Sequence, residues 1–235
     1  MAPMTTARFK ALCMDATDAR ALARFWAGAL DGRSVSQRDG GFRVDRGGAV
    51  GNESLWIDPV PEPRSGKTRV HMDVRLAAPE VTPLVDLGAV VTRTPDDEVS
   101  WWVLTDVDGN AFCAFAPRDG TSPGVFELIV DSADPVAQAT WWAGVCGGEV
   151  TRDGDGAAIA GAAGFPWDHW VFDPVPEPKT VKNRVHWDVD LAGTDPSALV
   201  AAGATVLRPP DSGISWWIMA DPEGNEFCAF ARKGG

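Results

Sequence analysis

The apolar positions of this chain change their spacing several times, and the changes follow one order. Residues 8–15 form an extended apolar run that predicts a strand. The next segment has its apolar side chains at helical spacing, at Leu22, Phe25, Trp26, Ala29 and Leu30. Short apolar segments at 41–46 and 54–60, separated by glycines, then predict strands joined as in hairpins. The pattern therefore predicts a strand, a helix and further short strands, which we interpret as a βαβββ unit.

A second unit of the same kind follows the proline-rich linker at 59–68. Prolines cannot donate to a strand ladder, so this linker separates two units rather than continuing a sheet. Residues 69–76 predict a strand and residues 79–88 a short helix. The apolar segments around SWW and FCAF then predict a hairpin, closed by the turn at 106–110.

The whole design is then repeated. DPVPEP, RVHxDV, SWW and GNxFCAFA each occur twice, and each second copy follows the first by 115 residues. Such a repeat predicts two homologous halves, which we place at residues 1–118 and 119–235. Helices are too few for a parallel α/β sheet. We therefore expect an α+β fold of four βαβββ modules, with curved and mostly antiparallel sheets.

Composition restricts the partners. The net charge is −12, which argues against nucleic-acid backbones and anionic membrane surfaces, because both attract basic patches. The four cysteines form no CxxC pair, so neither a zinc ribbon nor a redox motif is indicated. The first residues contain no apolar targeting segment, and no apolar run is long enough to span a bilayer. We expect a cytoplasmic protein that binds a small molecule.

The four modules, the strand motif RVHxDV and the hairpin DPEGNEFC resemble the vicinal oxygen chelate superfamily, specifically its glyoxalase-like proteins. The resemblance covers residues 8–116 and 124–232. It implies two tandem open barrels, each built from paired modules around a cleft. In catalytic members that cleft holds a divalent metal, bound by a His on the first strand and a Glu on the last strand of each module. With four modules in one chain, a monomer or a weak homodimer is expected.

Transferred to this chain, the metal positions of the family are mostly altered. In the first half they fall on Ala11, His71, Cys113 and either Trp56 or Asp58. In the second half they fall on Glu127, His186, Cys228 and either Phe172 or Asp173. A mixed Cys, Glu and His set would suit zinc better than magnesium. Because the set is so degraded, we assign no metal ligand and leave a divalent cofactor open.

Glu127 is the first candidate catalytic residue. It interrupts the repeat, since its counterpart in the first half is Ala11. A carboxylate within an apolar strand is costly to bury unpaired, so it should face a polar cleft or a cation. A base or ligand in a cleft is one interpretation, and a paired or solvated Glu is the other.

His186 is the second candidate catalytic residue. It precedes Asp188 by two residues, so both side chains lie on one face of the strand. The acid could orient the imidazole for proton transfer. The first half repeats the pair as His71 and Asp73, which equally fits a structural pair that stabilises both halves.

Neighbouring aromatic and acidic residues are the candidate substrate-binding groups. Each WW pair places one ring on either face of its strand, so one ring can pack in the core while the other stacks on a ligand. The candidates are His71, Asp58, Trp170, Asp173, Trp187, Asp188, Trp216 and Trp217. A cleft rich in Trp favours an apolar or aromatic ligand. For each Trp, packing in the core is the alternative.

Two functions follow from the sequence. One is a glyoxalase-like enzyme of lyase or isomerase type, with a cleft in the second half that uses Glu127 and His186 for proton transfer. The other is a metal-free binding protein of the bleomycin-resistance type, which the loss of metal ligands favours.

Overall fold

A computed structural model describes residues 5–46 and 51–232 of the chain. In these ranges it contains the four βαβββ modules that the sequence predicts. Module 1 consists of β1 (Ala7–Ala16), α1 (Ala19–Ala29), β2 (Gly32–Ser36), β3 (Phe42–Arg46) and β4 (Leu55–Pro59). Module 2 consists of β5 (Val70–Arg75), α2 (Thr82–Asp86), β6 (Val90–Arg93), β7 (Trp102–Thr105) and β8 (Ala111–Phe115).

The second half of the chain forms two further modules with the same element order. Module 3 consists of β9 (Gly124–Ser132), α3 (Pro135–Cys146), β10 (Glu149–Asp153), β11 (Gly156–Ala160) and β12 (His169–Pro174). Module 4 consists of β13 (Val185–Leu191), α4 (Ser197–Ala201), β14 (Thr205–Arg208), β15 (Trp217–Ala220) and β16 (Glu226–Phe230).

Side-chain caps define where the two long helices begin. Asp18 accepts a hydrogen bond from the backbone N–H of Ala21 at 2.9 Å, which satisfies one free donor of the first turn of α1. Asp134 does the same for Ala137 at 3.0 Å, and Pro135 is the first residue of α3. No helix in the described ranges is long and apolar enough to cross a membrane.

The modules pair across the two halves of the chain. Sheet A has the strand order β14-β15-β16-β13-β1-β4-β3-β2 and joins modules 4 and 1. Sheet B has the order β10-β11-β12-β9-β5-β8-β7-β6 and joins modules 3 and 2. In each sheet the first strands of two modules form the central antiparallel pair, which is β1 with β13 and β5 with β9. Both sheets are mixed and open, so the fold is α+β as predicted.

This pairing corrects one expectation. Modules 1 and 2 were expected to pair around one cleft, and modules 3 and 4 around another, because these modules are adjacent in sequence. The proline-rich linkers instead carry the chain from one sheet to the other. The boundary near residue 118 therefore separates two sequence repeats, and each sheet draws strands from both sides of it.

One aromatic core joins the two sheets. Trp170 of sheet B contacts Trp187 of sheet A edge to face, with ring centroids 5.1 Å apart. Trp142 of α3 contacts both rings, and all three side chains have 0% exposure. Side chains alternate along a strand, so each sheet has one face in this core and a second face opposite. We call that second face the open face.

Candidate functional site

The open face of sheet B carries a line of polar side chains across four neighbouring strands. In the strand register His169 of β12 lies beside Glu127 of β9, Glu127 lies opposite Asp73 of β5, and Asp73 lies beside Cys113 of β8. We call these four residues the polar row. His71 lies one pleat further along β5 on the same face.

Two carboxyl groups face each other at the centre of the polar row. Burial raises the pKa of Asp73 to about 8, and the neighbouring charge of Glu127 adds to this shift. Burial also raises the pKa of Glu127, although the hydrogen bond from His169 opposes the rise. Two negative charges in a desolvated site repel each other, so one carboxyl keeps its proton at a pH at which the other has already lost its own. At neutral pH Asp73 is the protonated member.

His169 is the most accessible member of the polar row. Its Nδ1 lies 2.9 Å from Glu127 Oε1, and its side chain is 45% exposed while that of Glu127 is 23% exposed. The sequence analysis did not single out this histidine. The available signal was that it is one of only three in the chain, on a strand that runs beside that of Glu127.

Cys113 and His71 complete the group. The Cys113 sulfur lies 3.7 Å from His71 Nε2, and His71 Nε2 lies 3.5 Å from Asp73 Oδ1. Burial lowers the pKa of His71 to about 4, helped by the charge of Lys67, so its imidazole is neutral at pH 7. Burial raises the pKa of the Cys113 thiol, and Asp73 adds to the rise. These three groups are therefore uncharged at neutral pH.

The combination can move protons. Asp73 holds a proton at pH 7, while Glu127 is stabilised in its charged form by His169. An acid and a base directly opposite each other, with different pKa values set by their surroundings, is the arrangement that general acid–base catalysis requires. Asp73 Oδ1 is buried and accepts no hydrogen bond from the described residues, so it can take a further partner.

Sheet A has a corresponding row without these properties. Its register places Ala11 opposite Asp188 and Asp188 beside Cys228, and Ser54 takes the place of His169. Lys10 pairs with Asp188 at 3.0 Å, so that carboxylate is neutralised by a cation. Sheet A therefore has no second carboxyl opposite its Asp, and no histidine beyond it.

The structure does not bring the two candidate catalytic residues together. Glu127 lies on β9 in sheet B, whereas His186 lies on β13 in sheet A. The cause is the pairing of modules across the halves. His71, from the first half, and His169 are the histidines that share a sheet with Glu127, whereas His186 lies opposite Cys13.

The candidate substrate-binding residues are likewise distributed over the two sheets and the core between them. Trp170 and Trp187 are fully buried in the shared core, so they cannot line a cleft, and Trp217 packs partly against that core. Asp58, Asp188 and Trp216 belong to sheet A or the loop before it. His71 and Asp173 lie in sheet B, the latter exposed on β12. Trp216 stacks on Phe230 with centroids 5.4 Å apart.

The metal that the resemblance implies needs several donor atoms close together on one face of a sheet. Sheet B places Glu127, His71 and Cys113 on one face, so three of its four family positions carry a donor, whereas sheet A has Ala11. Donor atoms of His71, Asp73 and Cys113 lie within 4.8 Å of one another. Imidazole, carboxylate and thiol donors, together with the unpartnered Asp73 Oδ1, fit a zinc-type ion better than magnesium.

The family is decided by comparison with known sequences. The family model described as a glyoxalase-like domain matches residues 11–115 and again residues 127–230. The chain belongs to the glyoxalase-like domain family. Each copy of the glyoxalase-like domain supplies two of the four strands of the polar row, β5 and β8 from the first copy and β9 and β12 from the second. No curated protein matches the chain with significant similarity.

Solved structures confirm the glyoxalase-like fold. Glyoxalase I from Zea mays matches with a TM-score of 0.65 at 14% identity, over 95% of this chain and 92% of that one. A putative dioxygenase from Bacillus subtilis matches with a TM-score of 0.66 at 15% identity, over 98% and 87%. The cppA protein from Streptococcus pneumoniae matches with a TM-score of 0.52 at 10% identity, over 96% and 99%. At these identities the likeness concerns the fold alone.

Proposed function

We propose that this glyoxalase-like protein is a small-molecule enzyme of lyase or isomerase type, and that it transfers a proton on the open face of sheet B. The observation that carries the proposal is the placement of Asp73 directly opposite Glu127. The first carboxyl is protonated at neutral pH and the second is held ready to accept a proton by His169.

The proposed reaction is proton abstraction from a carbon next to a carbonyl group. Glu127 takes the proton, the electrons of the broken C–H bond form a C=C bond, and the carbonyl electrons move onto oxygen. Asp73 donates its proton to that oxygen, which gives a neutral enol and an Asp73 carboxylate. With an α-hydroxy carbonyl compound this enol is an enediol: Glu127 returns its proton to the former carbonyl carbon, the Asp73 carboxylate takes the proton of the hydroxyl on the other carbon, and that carbon becomes the new carbonyl, which completes an isomerisation. Where the β carbon carries a leaving group, the Asp73 carboxylate instead takes back the enol proton, the C=O bond re-forms, the C=C electrons move between the α and β carbons, and the leaving group departs with its electron pair and takes the proton from Glu127, which completes an elimination.

His169 and His71 have supporting roles in this proposal. His169 donates its Nδ1 proton to Glu127 and fixes the direction of the carboxylate. Neutral His71 lies beside Asp73 without adding charge. If a divalent ion binds at His71, Asp73 and Cys113, it supplies a Lewis acid at the position where Asp73 otherwise polarises the carbonyl.

Solvent exchange tests the proposal without knowledge of the natural substrate. The protein is incubated in D₂O with a panel of α-hydroxyketones, α-hydroxyaldehydes and aryl-substituted keto acids, and deuterium at the carbon next to the carbonyl is measured by NMR. We expect catalysed exchange in at least one compound, and a loss of about 100-fold or more in E127Q. D188N is the matched control in sheet A and should retain the wild-type rate. Equal exchange by E127Q and the wild type would eliminate Glu127 as the base.

A binding protein is the second candidate, and sheet A favours it. There the polar row has lost the Glu and the second histidine but keeps the stacked pair Trp216 and Phe230. A surface that binds aromatic ligands without transforming them needs nothing more. Saturable binding without exchange or turnover of any compound in the panel would favour this candidate over the enzyme.

A further inference from the structure

A buried arginine continues the line of functional residues on β5. His71, Asp73 and Arg75 alternate along this strand and therefore share its open face. Arg75 is only 9% exposed, and its guanidinium carbon lies 4.1 Å above the ring of Phe126. Within residues 5–46 and 51–232 it forms no ion pair with a carboxylate and donates no side-chain hydrogen bond. Its charge lowers the pKa of Glu127 without a direct contact, so its guanidinium donors are free to bind an anion.

A cavity of about 430 Å³ lies next to this guanidinium. It is lined by Arg75, Ser100, Phe115, Ala116, Arg118 and Phe126. The rings of Phe115 and Phe126 meet edge to face with centroids 5.2 Å apart, and Trp101 stacks on Phe115 at 5.2 Å. The cavity thus combines an aromatic wall with two arginines and a hydroxyl, in a protein whose net charge is −12.

We propose that this cavity binds the carboxylate end of a planar organic acid. Arg75 has the planar fork of N–H donors that binds a carboxylate through two parallel hydrogen bonds, and Phe126 fixes its plane. The rings of Phe115 and Phe126 pack against the flat part of the ligand.

The position of Arg75 also limits the shape of the substrate. This part of the inference rests on the proposed function. Arg75 and Asp73 lie two residues apart on one face of β5, so a carboxylate at the guanidinium and a reacting carbon at the polar row lie on the same face of the sheet. The substrate class is therefore an aryl or unsaturated carboxylic acid whose flat part separates the reacting carbon from the carboxylate.

The corresponding pocket in sheet A carries mixed charges. Asp190 occupies the position of Arg75, Lys10 occupies that of Phe126, and Arg8 and Arg232 also line the pocket. Lys10 already has partners there, since its Nζ lies 3.0 Å from Asp188 and 3.3 Å from the centroid of Phe230. Asp190 thus puts a carboxylate where sheet B has the guanidinium, so sheet A provides a comparison for the site at Arg75.

Binding of a simple probe tests the inference. Binding of 4-fluorobenzoate and of the uncharged 4-fluorobenzamide is followed by fluorine NMR on the full-length protein. We expect the benzoate to bind at least about tenfold more tightly than the amide, because only the charged group pairs with Arg75. R75Q should remove this preference, R75K should restore part of it, and D190N should leave it unchanged. The comparison of the two ligands on the wild-type protein stands even if R75Q fails to fold.

The outcomes separate this inference from the proposed function. Equal affinity for the two probes, or an unchanged preference in R75Q, overturns the carboxylate site. Binding requires no proton transfer, and the charge of Arg75 acts on Glu127, so E127Q should bind the benzoate at least as tightly as the wild type does. Retained binding together with unchanged deuterium exchange in E127Q would refute the proton transfer and leave the carboxylate site intact.

Discussion

Asp73 and Glu127 lie directly opposite each other across β5 and β9, although they belong to different halves of the chain. Each carboxyl is influenced by the other half of the chain: the charge of Glu127 adds to the raised pKa of Asp73, and the charge of Arg75 lowers the pKa of Glu127. The site thus depends on how the duplicated modules pair. The following predictions test that dependence.

The substitution D73N should change how stability depends on pH. The pKa of Asp73 is about 8 in the folded protein and 3.8 ordinarily, so the folded state binds more protons than the unfolded chain between these values. The free energy of unfolding should therefore fall as the pH rises through this window, by up to about 1.4 kcal/mol per pH unit from this one group. Urea denaturation of D73N at several pH values should show a flatter dependence. A D73N slope equal to that of the wild type would contradict the shifted pKa.

Two substitutions should move the pKa of Glu127 in opposite directions. The hydrogen bond from His169 lowers this pKa, whereas the charge of exposed Asp168 raises it. In H169Q the acidic limb of the exchange rate against pH should shift to higher pH, because the hydrogen bond that lowers the pKa of Glu127 is gone. In D168N the same limb should shift downward. If the acidic limb of the pH–rate profile lies at the same pH in both variants as in the wild type, Glu127 does not control the rate.

Each half of the chain should fail to fold as an independent monomer. Residues 1–118 alone leave β1 without β13 and β5 without β9, so two central strand pairs are lost. The separate halves should aggregate or form homodimers, while co-expression of 1–118 with 119–235 should give a soluble one-to-one complex. Light scattering and circular dichroism measure this. A monomeric half with cooperative unfolding would argue against pairing across the halves.

The aromatic core should dominate stability. Trp142 is fully buried against Trp170, Trp187 and Phe227, and its Nε1 donates to Asp221 at 3.1 Å. W142A should cost about 3–5 kcal/mol in the free energy of unfolding, because it leaves a cavity and removes a donor from a buried carboxyl. Trp101 stacks on Phe115 at the cavity wall, so W101A should cost about 1 kcal/mol or less. Chemical denaturation of both variants checks the difference.

The sequence predicted the modules because these depend on local patterns. The helical spacing of Leu22 and Trp26 acts over a few residues, and the repeat shows that both halves have the same element order. Glu127 was also singled out from sequence, since a carboxyl stands there in place of Ala11 on an otherwise apolar strand.

The partner of Glu127 was out of reach for a physical reason. Both copies have the same apolar pattern on their first strands, so β9 could pair with β5 or with β13 without changing any local preference. His169 was missed because its contact depends on the parallel register of β12 and β9. The error on Trp187 was avoidable: it lies between His186 and Asp188, so its ring had to face away from them, into the core.

The most direct test of the central claim is the titration of the carboxyl groups themselves. Carbon-13 NMR of aspartate and glutamate side chains, followed from pH 3 to pH 9, reads the two groups of the polar row. We predict that Asp73 titrates near pH 8 in the wild type and at a lower pH in E127Q, where the neighbouring charge is gone. An Asp73 that titrates near its ordinary value of 3.8 in both proteins would contradict the account.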